Sequence, residues 1–154
     1  MIDPTQIRTL VKTTLKKINL HSEEAEELIL GTIAQESHMG TFIKQLGNGP
    51  ALGICQMEPR TEMDIWNNYI AFKPELANMI FSQFGITGPD DYRLFSDLGY
   101  QILMCRLHYL RVPEALPASD DVKGMAAYWK KHYNTYMGSG TAAGFYANYY
   151  KYVK

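Results

Sequence analysis

One carboxylate in this chain sits where a surface acid rarely does. Within Leu28 to Pro59, LILGTIAQESHMGTFIKQLGNGPALGICQMEP, a helical register puts Ile29, Ile33 and Glu36 at i, i+4 and i+7 on one apolar stripe. A charged carboxylate on such a face is destabilising by several kcal/mol unless paired, so the group holds its proton more tightly. If the helix ends near Gly40, the negative end of its dipole opposes ionisation too. An acid still protonated near neutral pH is what glycosidic cleavage needs, because the leaving oxygen must receive a proton as its bond breaks. The alternative is a helix-terminal Glu leaning out to solvent.

The segment that must position this acid is rich in turn formers. Gly40, Gly47, Gly49 and Gly53, with Pro50, exclude continuous helix and predict turns or a small β-hairpin. Glycines there let backbone approach another segment or a ligand. Gln56, in the apolar run Leu52 to Met57, has an amide that either meets a sugar substituent or holds the loop together.

These residues carry a resemblance. Glu36-Ser37 followed by Ala51-Leu52-Gly53-Ile54-Cys55-Gln56-Met57-Glu58-Pro59 resembles the paired motifs of lytic transglycosylases and goose-type lysozymes, E-S and then G-L-M-Q with a Pro. Asp97-Leu98-Gly99-Tyr100, continuing to Tyr109-Leu110, resembles that family's N-x-x-x-G-x-x-Y-L helix. Ala126-Ala127-Tyr128 resembles the start of its A-Y-N motif, and the four motifs fall in the family's order. Trp129 stands where the family has Asn, and Asn134 is the candidate substitute.

The resemblance implies a mainly α, lysozyme-like fold of about seven helices, and a peptidoglycan-degrading enzyme like the short cell-wall enzymes of phages. It implies cleavage of the β-1,4 bond between N-acetylmuramic acid and N-acetylglucosamine with Glu36 as general acid and then base, by lytic transglycosylation. It also implies substrate binding through Ser37, Gly53, Gln56, Tyr128 and Asn134, with Ser37 supporting Glu36 or the adjoining loop. Hydrolysis stays open if Glu58, Glu62 or Asp64 is an opposing carboxylate. A non-catalytic glycan-binding or structural virion module is the reading that the departure at Trp129 motivates.

Bulk properties bound the rest. At 154 residues and 46% hydrophobic, residues 1–154 are read as one catalytic domain. With 15 basic and 16 acidic side chains there is no overall electrostatic case for nucleic acid or an anionic membrane. No run reaches membrane-helix length, no signal peptide is recognised, and a monomer is expected. Such a protein would be made in the cytoplasm and reach the wall through a holin, a virion or another route. Cys55 and Cys105 read as buried free thiols. No cofactor is implied, and the four histidines lack metal-ligand spacing. His38, two residues after Glu36, should point elsewhere on a regular helix. Ser37 lacks the G-x-S-x-G setting of a serine hydrolase.

Along the chain, helices are expected over Pro4 to Asn19, from Ser22 as cap, over Arg60 to Ile70 with Met63, Trp66 and Ile70 as apolar stripe, and over Pro74 to Phe84 ended by Gly85. Glu23, Glu24, Glu26 and Glu27 read as helix-stabilising, solubilising acids. Arg93 to Arg111 is the longest apolar-periodic run and the expected central helix, with Gly99 marking close packing. Ser119 or Asp120 should cap a helix through Tyr136, and the last helix should run to about Val153. Lys130-Lys131 reads as a solvated face. Seven of eleven tyrosines, with Trp129, cluster from Tyr128 onward, where rings could stack on sugars.

Overall fold

The computed structural model describes residues 1–134 and 138–154. Among them the architecture is mainly α, with eight α-helices and no strand; the expected hairpin reduces to two isolated antiparallel bridges, Lys44 to Leu52 and Leu52 to Met57. Both bridges share Leu52, and Gly53 turns the chain between Leu52 and Met57 at φ +78°.

Helix starts follow the side chains available to satisfy free N–H groups. Asp3 caps α1 (Pro4–Lys17), and Ser22 caps α2 (Glu23–Ser37) through Ala25 N at 3.1 Å. Prolines open α3 (Pro59–Asn68) and α4 (Pro74–Phe84), and α4 ends at Gly85 with φ +70°. On α3, Ile65 and Trp66 face the core while Met63 stays exposed, which corrects the expected stripe.

The long run from Arg93 is two helices. α5 (Asp91–Ser96) stops where Asp97 turns extended and caps α6 (Leu98–Leu110), accepting from Tyr100 N at 3.1 Å. α6 is the central buried helix, with Tyr100 and Ile102 to Cys105 fully enclosed. Gly99 is not a close-packing point: a Cβ there would meet Phe84 at 3.5 Å, an ordinary contact. Asp121, one or two residues later than expected, caps α7 (Val122–Trp129), which continues as a π-helical turn over Lys130–Asn134. The expected end at Tyr136 lies outside the described residues. α8 (Ala142–Asn148) runs on into a second π turn, Tyr149–Val153.

The helices enclose one hydrophobic core to which α1, α2, α6, α7 and α8 all contribute. Two of the four acids opening α2 have specific partners. Glu26 accepts from Arg8 Nη1 and pairs with His21 Nε2, both at 2.8 Å, and Glu27 takes Arg8 and the Tyr149 hydroxyl, the latter at 2.5 Å. They clamp α1 and the C-terminal turn onto α2. Gly31 lets the ring of buried Phe145 lie directly on the α2 backbone. Cys55 and Cys105 are buried free thiols. No helix among the described residues is long and apolar enough to cross a membrane.

Candidate active site

α2 carries Glu36 in its last turn, at the rim of a cleft of about 430 Å³. The chain leaves this helix in an unusual conformation: His38, Met39 and Gly40 have φ of 50°, 56° and 80°, three left-handed residues in succession, two of them not glycine. Such a run is held only where its surroundings over-determine it. Ser37 supplies one restraint, its Oγ donating to Ile33 O at 3.0 Å and accepting from Gly40 N at 2.9 Å. Met39 supplies another by burying its side chain and bonding Ile2 N through its carbonyl at 2.8 Å.

The reversal puts His38 on the wall of the same cleft as Glu36, against the expectation from helical spacing. Its ring stacks on Tyr152 at 5.6 Å and meets Phe42 edge-on at 5.5 Å.

Glu36 is only partly exposed, and its one side-chain hydrogen bond among the described residues comes from Trp129 Nε1 to Oε2 at 3.0 Å. Burial pushes the carboxyl up to about 7, the indole N–H opposing this by favouring the anion. Since an indole only donates, Oε2 acts as acceptor and Oε1 is left to carry the proton. Trp129 is fully buried against Phe145, so the acid is oriented from beneath by a rigid group.

The opposite wall comes from the loop before α3 and from the turn after α7. Gln56, at φ 49°, donates Nε2 to Gly53 O at 2.9 Å, so its amide both holds the loop and edges the cleft. Tyr133 anchors to the same loop, its hydroxyl donating to Cys55 O at 2.6 Å. Asn134 borders the cleft too, its Oδ1 accepting from Lys130 Nζ at 2.7 Å. Lys130 also donates to Gly138 O at 3.1 Å and Gly140 O at 2.7 Å, two residues of that wall. It is an internal clip, whereas Lys131 does reach solvent and pairs with Glu114 at 2.8 Å.

Of the residues singled out from sequence, the cleft therefore brings together Glu36, Gln56, Asn134 and Glu58. Glu58 precedes α3 without a side-chain capping bond, its side chain nearly half exposed and 4.0 Å from Arg60.

Five others are placed elsewhere. Ser37 is fully buried, holds the helix end and does not line the cleft. Gly53 is a backbone requirement: a Cβ would lie 2.6 Å from both Gln101 Cδ and Leu94 O. Tyr128 packs between Tyr109 and His132, with its hydroxyl on Glu114 O at 2.9 Å, outside the cleft; Tyr133, five residues on, is the cleft tyrosine. Glu62 is buried and accepts from Tyr100 and from Asp90 N at 2.9 Å, serving the core. Asp64 binds Arg111 Nη1 at 2.6 Å in a different hollow.

Sequence reasoning missed His38, Trp129, Lys130 and Tyr133. Trp129 was visible as the departure from the A-Y-N pattern, and its indole occupies the position from which Glu36 is held. Among the described residues no three His, Cys, Asp or Glu side chains converge as a metal ion would require. Comparison with protein-family models, curated proteins and solved structures found no match.

Proposed function

We propose that the chain is a peptidoglycan-cleaving enzyme that breaks the β-1,4 bond between N-acetylmuramic acid and N-acetylglucosamine, with Glu36 as the proton donor. The observation that carries this reading is a carboxyl held protonated to about pH 7 by burial, at the rim of a cleft edged by the neutral amides of Gln35, Gln45, Gln56 and Asn134. Amides of this kind suit hydroxyl and acetamido groups.

In the leading route Glu36 Oε1 gives its proton to the bridging oxygen as the C1–O bond breaks. The resulting carboxylate takes the proton of the muramic acid C6 hydroxyl, O6 closes onto C1, and a 1,6-anhydro product leaves. One residue serves both steps; the four ordered motifs support a glycan-cleaving acid at Glu36 and are common to this route and to hydrolysis.

Glu58 favours a second route, because it alone of the three candidate partners borders the same cleft. There it would draw a proton from water, giving a hydrolysed product.

Glu36→Gln tests the reading: size and hydrogen bonding persist, but no carboxyl proton can be given, so lysis of purified walls should fall by about two to four orders of magnitude. Retained lysis would place the acid elsewhere. Product mass separates the routes, the anhydro sugar being lighter by one water.

A further inference from the structure

The last helix presents one face to the end of α2. Phe145, Asn148 and Tyr152 are three and four residues apart, so they share a side of α8 and of the π turn that continues it. Gly31 brings that side close, because the Phe145 ring lies directly on the α2 backbone.

Each of the three holds a different residue of the cleft. Phe145 packs on Trp129, whose indole holds Glu36. Asn148 Nδ2 donates to Gln35 Oε1 at 2.7 Å, and the Tyr152 ring stacks on His38 with centroids 5.6 Å apart. Gln35, Glu36 and His38 border the cleft, whereas Phe145, Asn148 and Tyr152 do not line it.

For Gln35 the effect is directional. Its amide lies over two glycines: a Cβ at Gly140 would come within 3.1 Å of Nε2, and one at Gly144 within 3.6 Å of Oε1. With Oε1 taken by Asn148, the Nε2 edge is left to donate to a ligand. His38 is an exposed ring on left-handed backbone, set in its plane by the stack. Side chains fixed before a ligand arrives lose less entropy on meeting it.

We propose that Asn148 and Tyr152 are positioning residues of the cleft, through which the C-terminal helix presets Gln35 and His38 to contact the glycan. This rests on the cell-wall reading and adds to it a role for the last turn of the chain, one that acts on substrate affinity and leaves proton transfer to Glu36 and Trp129.

Steady-state kinetics of Asn148→Ala and Tyr152→Leu on soluble, uncrosslinked glycan strands test it. Each should raise KM by about threefold to tenfold, the worth of one hydrogen bond or one ring stack, with kcat and the alkaline limb near pH 7 unmoved. Tyr152→Phe keeps the ring and should return KM to the wild-type value. KM unchanged in both variants would overturn the proposal while leaving the activity standing; so would a fall in kcat without a rise in KM, or Tyr152→Phe behaving as Tyr152→Leu does. Binding of the same strands to Glu36→Gln, alone and combined with each variant, reads these residues without cleavage. Weaker binding by the combined proteins supports the positioning role even if wild-type protein leaves the strands uncut, an outcome that removes the enzymatic reading alone. Equal binding by all of them, or binding by none, overturns it.

Discussion

Trp129 donates its indole N–H to Glu36 Oε2 at 3.0 Å, joining the end of α7 to the end of α2 across 93 positions of sequence. The bond lowers the carboxyl's pKa while burial raises it, and burial prevails, at about 7. A general acid must be protonated to act, so kcat/KM on cell walls should decline tenfold per pH unit above about 7. Trp129→Phe removes the donor and keeps an aromatic ring, so the alkaline limb should move to higher pH. A pH–rate profile with the limb unmoved would show that the indole does not act on the acid.

Glu36 also couples stability to pH. Its folded-state value, about 7, lies above the ordinary 4.5, so between these values the native state binds more protons than the unfolded chain. The contribution is fully present below pH 4.5 and is lost as pH rises through 7. Glu36→Gln should therefore match wild type in acid and exceed it at pH 8, by up to about 3 kcal/mol. Urea unfolding at both pH values checks this, and an equal difference at each would contradict it.

Lys130 holds the cleft wall through Asn134, Gly138 and Gly140. Lys130→Met keeps the aliphatic stem and removes all three contacts. Lytic rate should drop by about tenfold or more, with stability reduced by about 1 to 3 kcal/mol. Thermal denaturation alongside the lytic assay separates the two, and a loss of stability with full activity would exclude the clip from the site.

Gly31 poses opposing effects of different size. Alanine ordinarily stabilises a helix interior by about 1 kcal/mol relative to glycine. Here its Cβ would lie 2.4 Å from Phe145 Cζ, in a core where overpacking is destabilising by about 1 to 3 kcal/mol. The clash should prevail, lowering the urea midpoint of Gly31→Ala; a raised midpoint would mean that Phe145 shifts freely.

Much of the framework could be read from local chemistry. Pro74 and Gly85 bound α4 as their backbone preferences require, Ser22 caps α2, and the burial of α6 follows from its nearly continuous apolar run. The break at Asp97 was harder, because an Asp inside an apolar pattern serves equally as exposed residue or cap. At the site, Glu36 was legible from its stripe, but its neighbours depend on contacts distant in sequence. Tyr128 and Tyr133 look interchangeable as letters; only the π turn after Trp129 decides which of them borders the cleft. His38 was misplaced because helical periodicity ends at Ser37, and the left-handed run beyond it obeys different geometry. Glu62 and Asp64 were separated from Glu58 by tertiary partners, Tyr100 and Arg111, that no spacing discloses.

Trp129 and Phe145 grip Glu36 and its helix from the interior, whereas the outer lip, from Phe42 to Ala51, contributes no hydrogen bond to that carboxyl among the described residues. On the reading proposed above, the acid's strength is set from the interior, and the lip is free to vary without touching it. If the proposed activity holds, loops regrafted onto the lip would change which glycan is accepted while the alkaline limit of the working range stayed where the interior sets it.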